Sequence, residues 1–192
     1  MAKLSAIILS TFLLTFGASA DEPKVSVASV LSAVSGYQDS NYYKAVLVTG
    51  EEDADLYLFS RDGWDLTLEA YAPGIAVTGI GGTDASLSTA ENGALRLQSE
   101  NIAIGRHRWQ QRLTIVHRDG RFVVGGYTYS FYDTLAVNAN GDVLTGECDV
   151  NLLTGKGFKD GKPFRTSFRS VPVDNWRADM GPPECEWEQK NP

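Results

Sequence analysis

Residues 108–132, RWQQRLTIVHRDGRFVVGGYTYSFY, form the stretch of sequence that decides the predicted fold. Its first half alternates apolar and polar side chains, a period of two that is typical of an antiparallel strand with one face in water. Asp119-Gly120 then predicts a tight turn, because glycine readily adopts a positive φ. The returning half carries an aromatic side chain at every second position: Tyr127, Tyr129 and Phe131. The stretch therefore predicts a β-hairpin.

The same pattern continues on both sides of this hairpin. In residues 64–70 the apolar side chains of Trp64, Leu66 and Leu68 alternate with polar ones, which predicts a strand whose apolar face is buried. Gly-containing turn sequences recur between such segments, and no linker composition divides the chain. We expect about eight to ten antiparallel strands joined by hairpins.

One segment departs from this period. Val27, Val30, Leu31 and Val34 follow the i, i+3, i+4, i+7 spacing, which predicts an amphipathic helix over residues 25–35. The predicted fold class is therefore all-β with one N-terminal helix, an antiparallel meander that forms either a sandwich or a partial propeller-like sheet.

Residues 1–20 have the features of a secretory signal peptide. Lys3 precedes an apolar run too short to span a membrane, and Ala18-Ser19-Ala20 resembles a cleavage site. We expect cleavage to leave a single β-rich domain at residues 21–192, without a membrane span, in the periplasm or outside the cell. The short leader is typical of a bacterial protein.

The charge of the chain limits its partners. With 17 basic and 24 acidic residues, the formal net charge is −7. Nucleic acids and anionic membranes favour clustered Lys and Arg, so neither is an expected partner. The expected partners are therefore an envelope protein or a glycan.

The chain has two cysteines, Cys148 and Cys185. In an exported protein two cysteines predict one disulfide. Such a bond would contribute about 3–4 kcal/mol on the chain-entropy model and would staple the C-terminal tail, residues 172–192, onto the sheet.

Three blocks of sequence carry a resemblance to known proteins. They are the Trp-led strand from Arg108 to Ile115, the segment from Arg118 to Tyr129, and the segment from Asp149 to Lys156, which contains Asn151-Leu152-Leu153-Thr154-Gly155-Lys156. Together they resemble a group of uncharacterised exported bacterial proteins, some of which are linked to integrin-like FG-GAP repeats. The resemblance covers residues 37–160 and implies no activity, because the group has none assigned.

Few residues suggest chemistry. Glu51, Glu52, Asp53 and Asp55 could hold a divalent cation, although a solvated turn explains them better. His107 and His117, ten positions apart on one strand, are too distant to share an ion and are expected to be solvated. The sequence has no nucleophile-elbow or phosphate-loop motif, so we predict no catalytic residue and no cofactor.

Aromatic side chains remain as candidates for ligand contact. An exposed row would stack on sugar rings, whereas a buried row would be core. Tyr127, Tyr129 and Trp176 are the candidates, and the core interpretation is favoured for the alternating set.

Three hypotheses of function remain open. The first is a non-catalytic binding or accessory module of the bacterial envelope. The second is a hydrolase or lyase acting on glycans through carboxylates such as Asp65, Glu69 and Glu100. The third is an interaction protein that pairs an exposed strand edge with its partner.

Overall fold

The structure is a computed structural model that describes residues 30–187 apart from residues 39, 40, 51, 63 and 80. The predicted signal peptide and the first part of the predicted helix, residues 25–29, lie outside the described residues. Within them no helix is long and apolar enough to cross a membrane.

Strands dominate the described part of the chain, with two short 3-10 turns at Val173–Asn175 and Pro183–Cys185. The strands are β1 (Val30–Gln38), β2 (Asn41–Thr49), β3 (Asp53–Asp62), β4 (Asp65–Val77), β5 (Thr83–Thr89), β6 (Leu95–Asn101), β7 (His107–Arg118), β8 (Arg121–Val137), β9 (Val143–Asn151), β10 (Lys156–Lys159), β11 (Lys162–Arg165) and β12 (Val171–Pro172).

These strands form two antiparallel sheets. The small sheet has four strands in the order β1-β2-β3-β4, and the large sheet runs from β11 through β10, β9, β8, β7 and β6 to β5, with β12 paired to β8. Consecutive strands pair because short turns connect them. At the β7–β8 turn Asp119 and Gly120 have φ values of 52° and 77°, as the sequence predicts. The all-β meander and the sandwich alternative are confirmed.

The predicted N-terminal helix is wrong over residues 30–35, which belong to β1 and pair with β2. The helical spacing rested on four valine and leucine positions in a short window. Valine is a weak helix former because its branched side chain is restricted at χ1, whereas the same side chain packs well on a sheet. Pairing with β2 supplies hydrogen bonds that an isolated helix of this length would not retain.

The core lies between the two sheets. The small sheet contributes Leu47, Leu56 and Leu58, and the large sheet contributes Leu97 and Leu113, all fully buried. Burying each of these side chains stabilises the fold by about 2 kcal/mol.

Hydrogen bonds from β1 to the large sheet close one side of the sandwich. The backbone N–H of Leu87 on β5 donates to Ser32 Oγ of β1 over 3.1 Å. The side-chain amide of Gln38 donates to the carbonyl of Ile115 (3.3 Å) and accepts from the N–H of His117 (2.9 Å). The edge strands β1 and β5 are therefore held against each other.

A segment of residues 171–187, here called the C-terminal strap, covers the other side. It begins as β12 and buries Trp176 completely. The N–H of Ala178 then donates to the carbonyl of Gly74 on β4 over 3.0 Å. The strap ends against β9, where Cys185 and Cys148 form the predicted disulfide, with their Cα atoms 5.5 Å apart. The disulfide prediction is confirmed.

Candidate binding surface

Of the predicted ligand-contact residues, Tyr127 and Trp176 are buried and Tyr129 is partly buried against the core. Trp176 is fully buried, and its ring centroid lies 6.1 Å from that of Tyr127, which stacks on Tyr129 at 6.5 Å. Burial raises the pKa of Tyr129 to about 12. Tyr127, Tyr129 and Phe131 on β8 form the inner aromatic row, and the strap, which includes Trp176, lies over it. These side chains therefore contribute to the core or pack against it, and they do not form an exposed row for a ligand.

The strap completes this cover with Trp187. Its ring lies 4.9 Å from Phe131 and 5.9 Å from Tyr129 between centroids. The absence of a side chain at Gly146 makes room, since a Cβ there would come within 2.7 Å of the Trp187 ring. The Trp187 Nε1–H donates to Asp160 over 3.2 Å, which fixes the ring.

The acidic candidates for a metal site do not converge. Asp55 is a structural residue, because its carboxylate accepts hydrogen bonds from the Tyr71 hydroxyl (2.8 Å) and from the Gly74 N–H (2.9 Å). The hydrogen bond to Asp55 raises the pKa of Tyr71, and burial adds to it. Glu52 and Asp53 are exposed, and Glu51 lies outside the described residues. Within the part of the chain that the structure describes, no group of three potential ligands could hold a metal ion.

The sequence predicts that both histidines are solvated. In the structure both are half-buried. His107 stacks on Phe131 with ring centroids 4.8 Å apart, and its Nε2 lies 3.4 Å from the Tyr129 hydroxyl. His117 packs edge-on against Phe122. They lie near opposite ends of β7, so they do not share a site.

The exposed aromatic side chains lie on the small sheet instead. Tyr37 on β1 pairs with Tyr42 on β2, and Tyr42 lies beside Arg61 on β3, since the adjacent residues Tyr43 and Ser60 are register partners. Trp64 follows in the β3–β4 turn. Because each side chain comes from a different strand or turn, cross-strand pairing alone assembles the set. We call Tyr37, Tyr42, Arg61 and Trp64 the outer aromatic row.

The rings and the guanidinium of the outer aromatic row contact one another in sequence. Tyr37 and Tyr42 meet edge to face with centroids 5.3 Å apart. The Arg61 guanidinium lies 5.6 Å from the centroid of Tyr42 and 5.4 Å from that of Trp64. Trp64 is 92% exposed and Tyr37 is 64% exposed. Since neighbouring strands are about 4.8 Å apart, the row crosses three strands over roughly 10 Å before it reaches Trp64.

The apolar character of this surface continues along β4. Leu66 and Leu68 are exposed, at 48% and 45%, although the alternation in residues 64–70 predicts that they are buried. The reason is a β-bulge at Glu69: Phe59 pairs with Leu68, but the preceding residue Leu58 pairs with Ala70. The extra residue changes which positions face inward, so Ala72 is buried while Leu66 and Leu68 face outward.

A second concave feature lies across the outer face of the large sheet. It is a groove of about 650 Å³. On its floor the carboxylate of Glu100 accepts hydrogen bonds from the side-chain amides of Gln98 (3.1 Å) and Gln110 (2.9 Å). The other side chains and backbone positions that line it include Ile102, Trp109, Ser130, Tyr132, Glu147 and Asp160.

The groove does not assemble the carboxylates that a glycan hydrolase was predicted to use. Asp65 and Glu69 lie on β4 of the small sheet, whereas Glu100 lies on the outer face of the large sheet. Glu147 lines the same groove as Glu100 from β9, three strand spacings from β6, about 14 Å between backbones.

The sequence alone did not identify the outer aromatic row, although a signal was present. Tyr42 and Tyr43 are adjacent, and adjacent residues of a strand point to opposite faces. Tyr43 is only 1% exposed, so Tyr42 must face outward. The alternation in residues 64–70 predicts that Trp64 is buried, and this is wrong: Trp64 lies in the β3–β4 turn and is 92% exposed.

The chain matches no protein-family model, no curated protein and no solved structure. Its class therefore rests on geometry: an all-β protein of two antiparallel sheets with an exposed aromatic row. The resemblance to exported bacterial proteins stays a prediction.

Proposed function

We propose that this protein is an exported, non-catalytic carbohydrate-binding module that holds its ligand on the outer aromatic row. The observation that carries the proposal is the 92% exposure of Trp64 beside three further side chains that contact one another in a line. A tryptophan side chain that stays in water contributes no burial free energy to the fold. The stability of the fold therefore does not explain why Trp64 is placed there.

The chemistry of the row matches that of a sugar. A saccharide ring has an apolar face of C–H groups and a rim of hydroxyls. Aromatic rings offer a flat apolar surface for the first, and a guanidinium carries five N–H donors for the second. The Arg61 guanidinium lies between the rings of Tyr42 and Trp64, 5.6 Å and 5.4 Å from their centroids. A ligand chain lying across the strands would meet rings and donor in turn.

Charge and compartment support the same class of ligand. The net charge of −7 disfavours polyanions such as nucleic acid. The signal-like residues 1–20 and the Cys148–Cys185 disulfide both favour a protein that works in the periplasm or outside the cell, where glycans are abundant.

The test is isothermal titration calorimetry of residues 21–192 with a panel of soluble neutral and acidic polysaccharides, selected first on a glycan array. We expect Trp64→Ala and Tyr37→Ala each to weaken binding at least tenfold, about 1.4 kcal/mol. Leu135→Ala is the matched control, because Leu135 is 76% exposed and lies on β8 of the large sheet. A panel without any ligand, or a ligand bound equally by all variants, would overturn the proposal.

A further inference from the structure

The edges of the two sheets differ in how they are protected. β1 and β5 are held against each other by the Leu87–Ser32 hydrogen bond. β11 is four residues long and contains Pro163, which has no N–H to offer. The second half of β4 is covered by the strap through the Ala178–Gly74 hydrogen bond. Each of these edges is therefore partly protected against pairing with a further strand.

The first half of β4 is different. In the described residues β4 is the last strand of the small sheet, and positions 65–69 are all exposed. A terminal strand presents unpaired N–H and C=O groups on its free side, which is a template for another strand; here that row is regular from Asp65 to Leu68 and is interrupted by the bulge at Glu69. We call Asp65–Ala70 the open edge.

The side chains of the open edge restrict what can pair with it. Leu66 and Leu68 lie on the outward face, and both charged residues, Asp65 and Glu69, are acidic. A second copy of this chain fits poorly in the register that aligns the whole open edge: antiparallel two-fold pairing centred on Thr67 would place Asp65 opposite Glu69 twice, and like charges in directly opposed positions are destabilising.

We propose that the open edge accepts a strand from another protein, and that this strand is an extended segment alternating basic and apolar residues. Its backbone would continue the small sheet beyond β4. Its apolar side chains would pack beside Leu66 and Leu68, and its basic side chains would pair with Asp65 and Glu69. The inference goes beyond carbohydrate binding and does not depend on it, because the partner is bound by backbone groups and carboxylates rather than by aromatic rings.

The experiment uses a short synthetic peptide that alternates lysine and valine, followed by amide NMR of residues 21–192. We expect chemical-shift changes and slowed amide exchange confined to β4 around residues 65–70. Two control peptides separate the contributions: one with alternate backbone nitrogens methylated, and one with glutamate in place of lysine. Both should bind at least tenfold more weakly, since the first blocks strand pairing and the second reverses the charge.

The matching protein variant is the double substitution Asp65→Lys with Glu69→Lys, which should prefer the glutamate peptide. Glu91→Lys with Asp174→Lys makes the same change in net charge at exposed positions elsewhere and should keep the original preference.

Equal binding of the methylated peptide, an unchanged preference after reversal at the edge, or shifts centred on the groove at Glu100 and Glu147 would each overturn the proposal. The proposal would also be overturned if analytical ultracentrifugation showed a dimer and the Asp65→Lys, Glu69→Lys variant changed the amount of that dimer. Calorimetry with the polysaccharides is read separately, so failure of either proposal is visible by itself.

Discussion

The molecule contains two aromatic rows, and they differ in what lies over them. The inner aromatic row on β8 is covered by Trp176 and Trp187 of the strap, which the Cys148–Cys185 disulfide fixes to β9. The outer aromatic row on the small sheet has no described segment over Trp64, which is 92% exposed. The inner row consists of every second residue of one strand, whereas the outer row is assembled by pairing across β1, β2 and β3. Both rows are rich in aromatic residues. One belongs to the core because the strap covers it, and the other is a candidate binding surface because no described segment covers Trp64.

The largest effect should come from breaking the cover of the inner row. Trp176→Ala removes a fully buried indole between Tyr127 and Phe168 and should lower the free energy of unfolding by about 3–5 kcal/mol. Chemical denaturation followed by tyrosine fluorescence measures it. A loss below about 1 kcal/mol would show that the strap contributes little to the core.

The disulfide should have the next largest effect. Replacing Cys148 and Cys185 together by alanine releases a cross-link between positions 37 apart and should cost about 3–4 kcal/mol. We also expect stronger binding of an apolar dye, because the strap would open away from the inner row. Mass spectrometry of the unreduced protein recovered after export provides the control, and two free thiols there would contradict the predicted bond.

The free energy of unfolding should decrease at high pH because burial in the inner row raises the pKa of Tyr129. The folded pKa of Tyr129 is raised to about 12 from an ordinary value of 10.0, so its contribution is complete below pH 10 and is lost as the pH rises toward 12. The loss should be on the order of 1–2 kcal/mol after allowing for partial exposure.

Tyr129→Phe provides the control for that measurement. The phenylalanine variant should unfold with a weaker dependence on pH between 10 and 12 than the unchanged protein. Tyr43, Tyr57, Tyr71 and Tyr127 also have raised pKa values, so a residual dependence is expected in both. Identical curves would place Tyr129 in contact with water.

The smallest effect on stability should come from the outer row. Trp64→Ala removes a side chain that is almost entirely in water, so the free energy of unfolding should change by less than about 0.5 kcal/mol. The same denaturation experiment measures it beside Trp176→Ala. A loss above about 2 kcal/mol would mean that Trp64 is structural, and the comparison of the two rows would fail.

Local sequence features were enough for much of the fold. The period of two and the Asp119-Gly120 turn predicted the β7–β8 hairpin, because both depend only on neighbouring residues. Two cysteines in an export context predicted the Cys148–Cys185 bond without any knowledge of topology. The N-terminal helix failed because pairing with β2, a tertiary effect, decides the state of β1.

The candidate surface was harder to predict, since its position depends on which face of a strand meets the core. Alternation shows that Leu66 and Leu68 share a face, but it does not show that this face is outward. The bulge at Glu69 makes Ala72 inward-facing although its number has the same parity. No local signal in residues 64–70 marks that bulge, and the open edge of β4 follows only from the complete order of the strands.

The position of the strap in the chain has a consequence for biogenesis. Apart from β12, with which the strap begins, residues 171–187 come after every strand of the two sheets that they cover, so they are synthesised after those strands. Until they arrive, the hydrophobic side chains around Tyr127 and Phe131 stay unprotected on a newly made sheet, and such intermediates are prone to aggregation. A nascent chain halted before residue 171 should therefore need a chaperone, and arrival of Cys185 should release it.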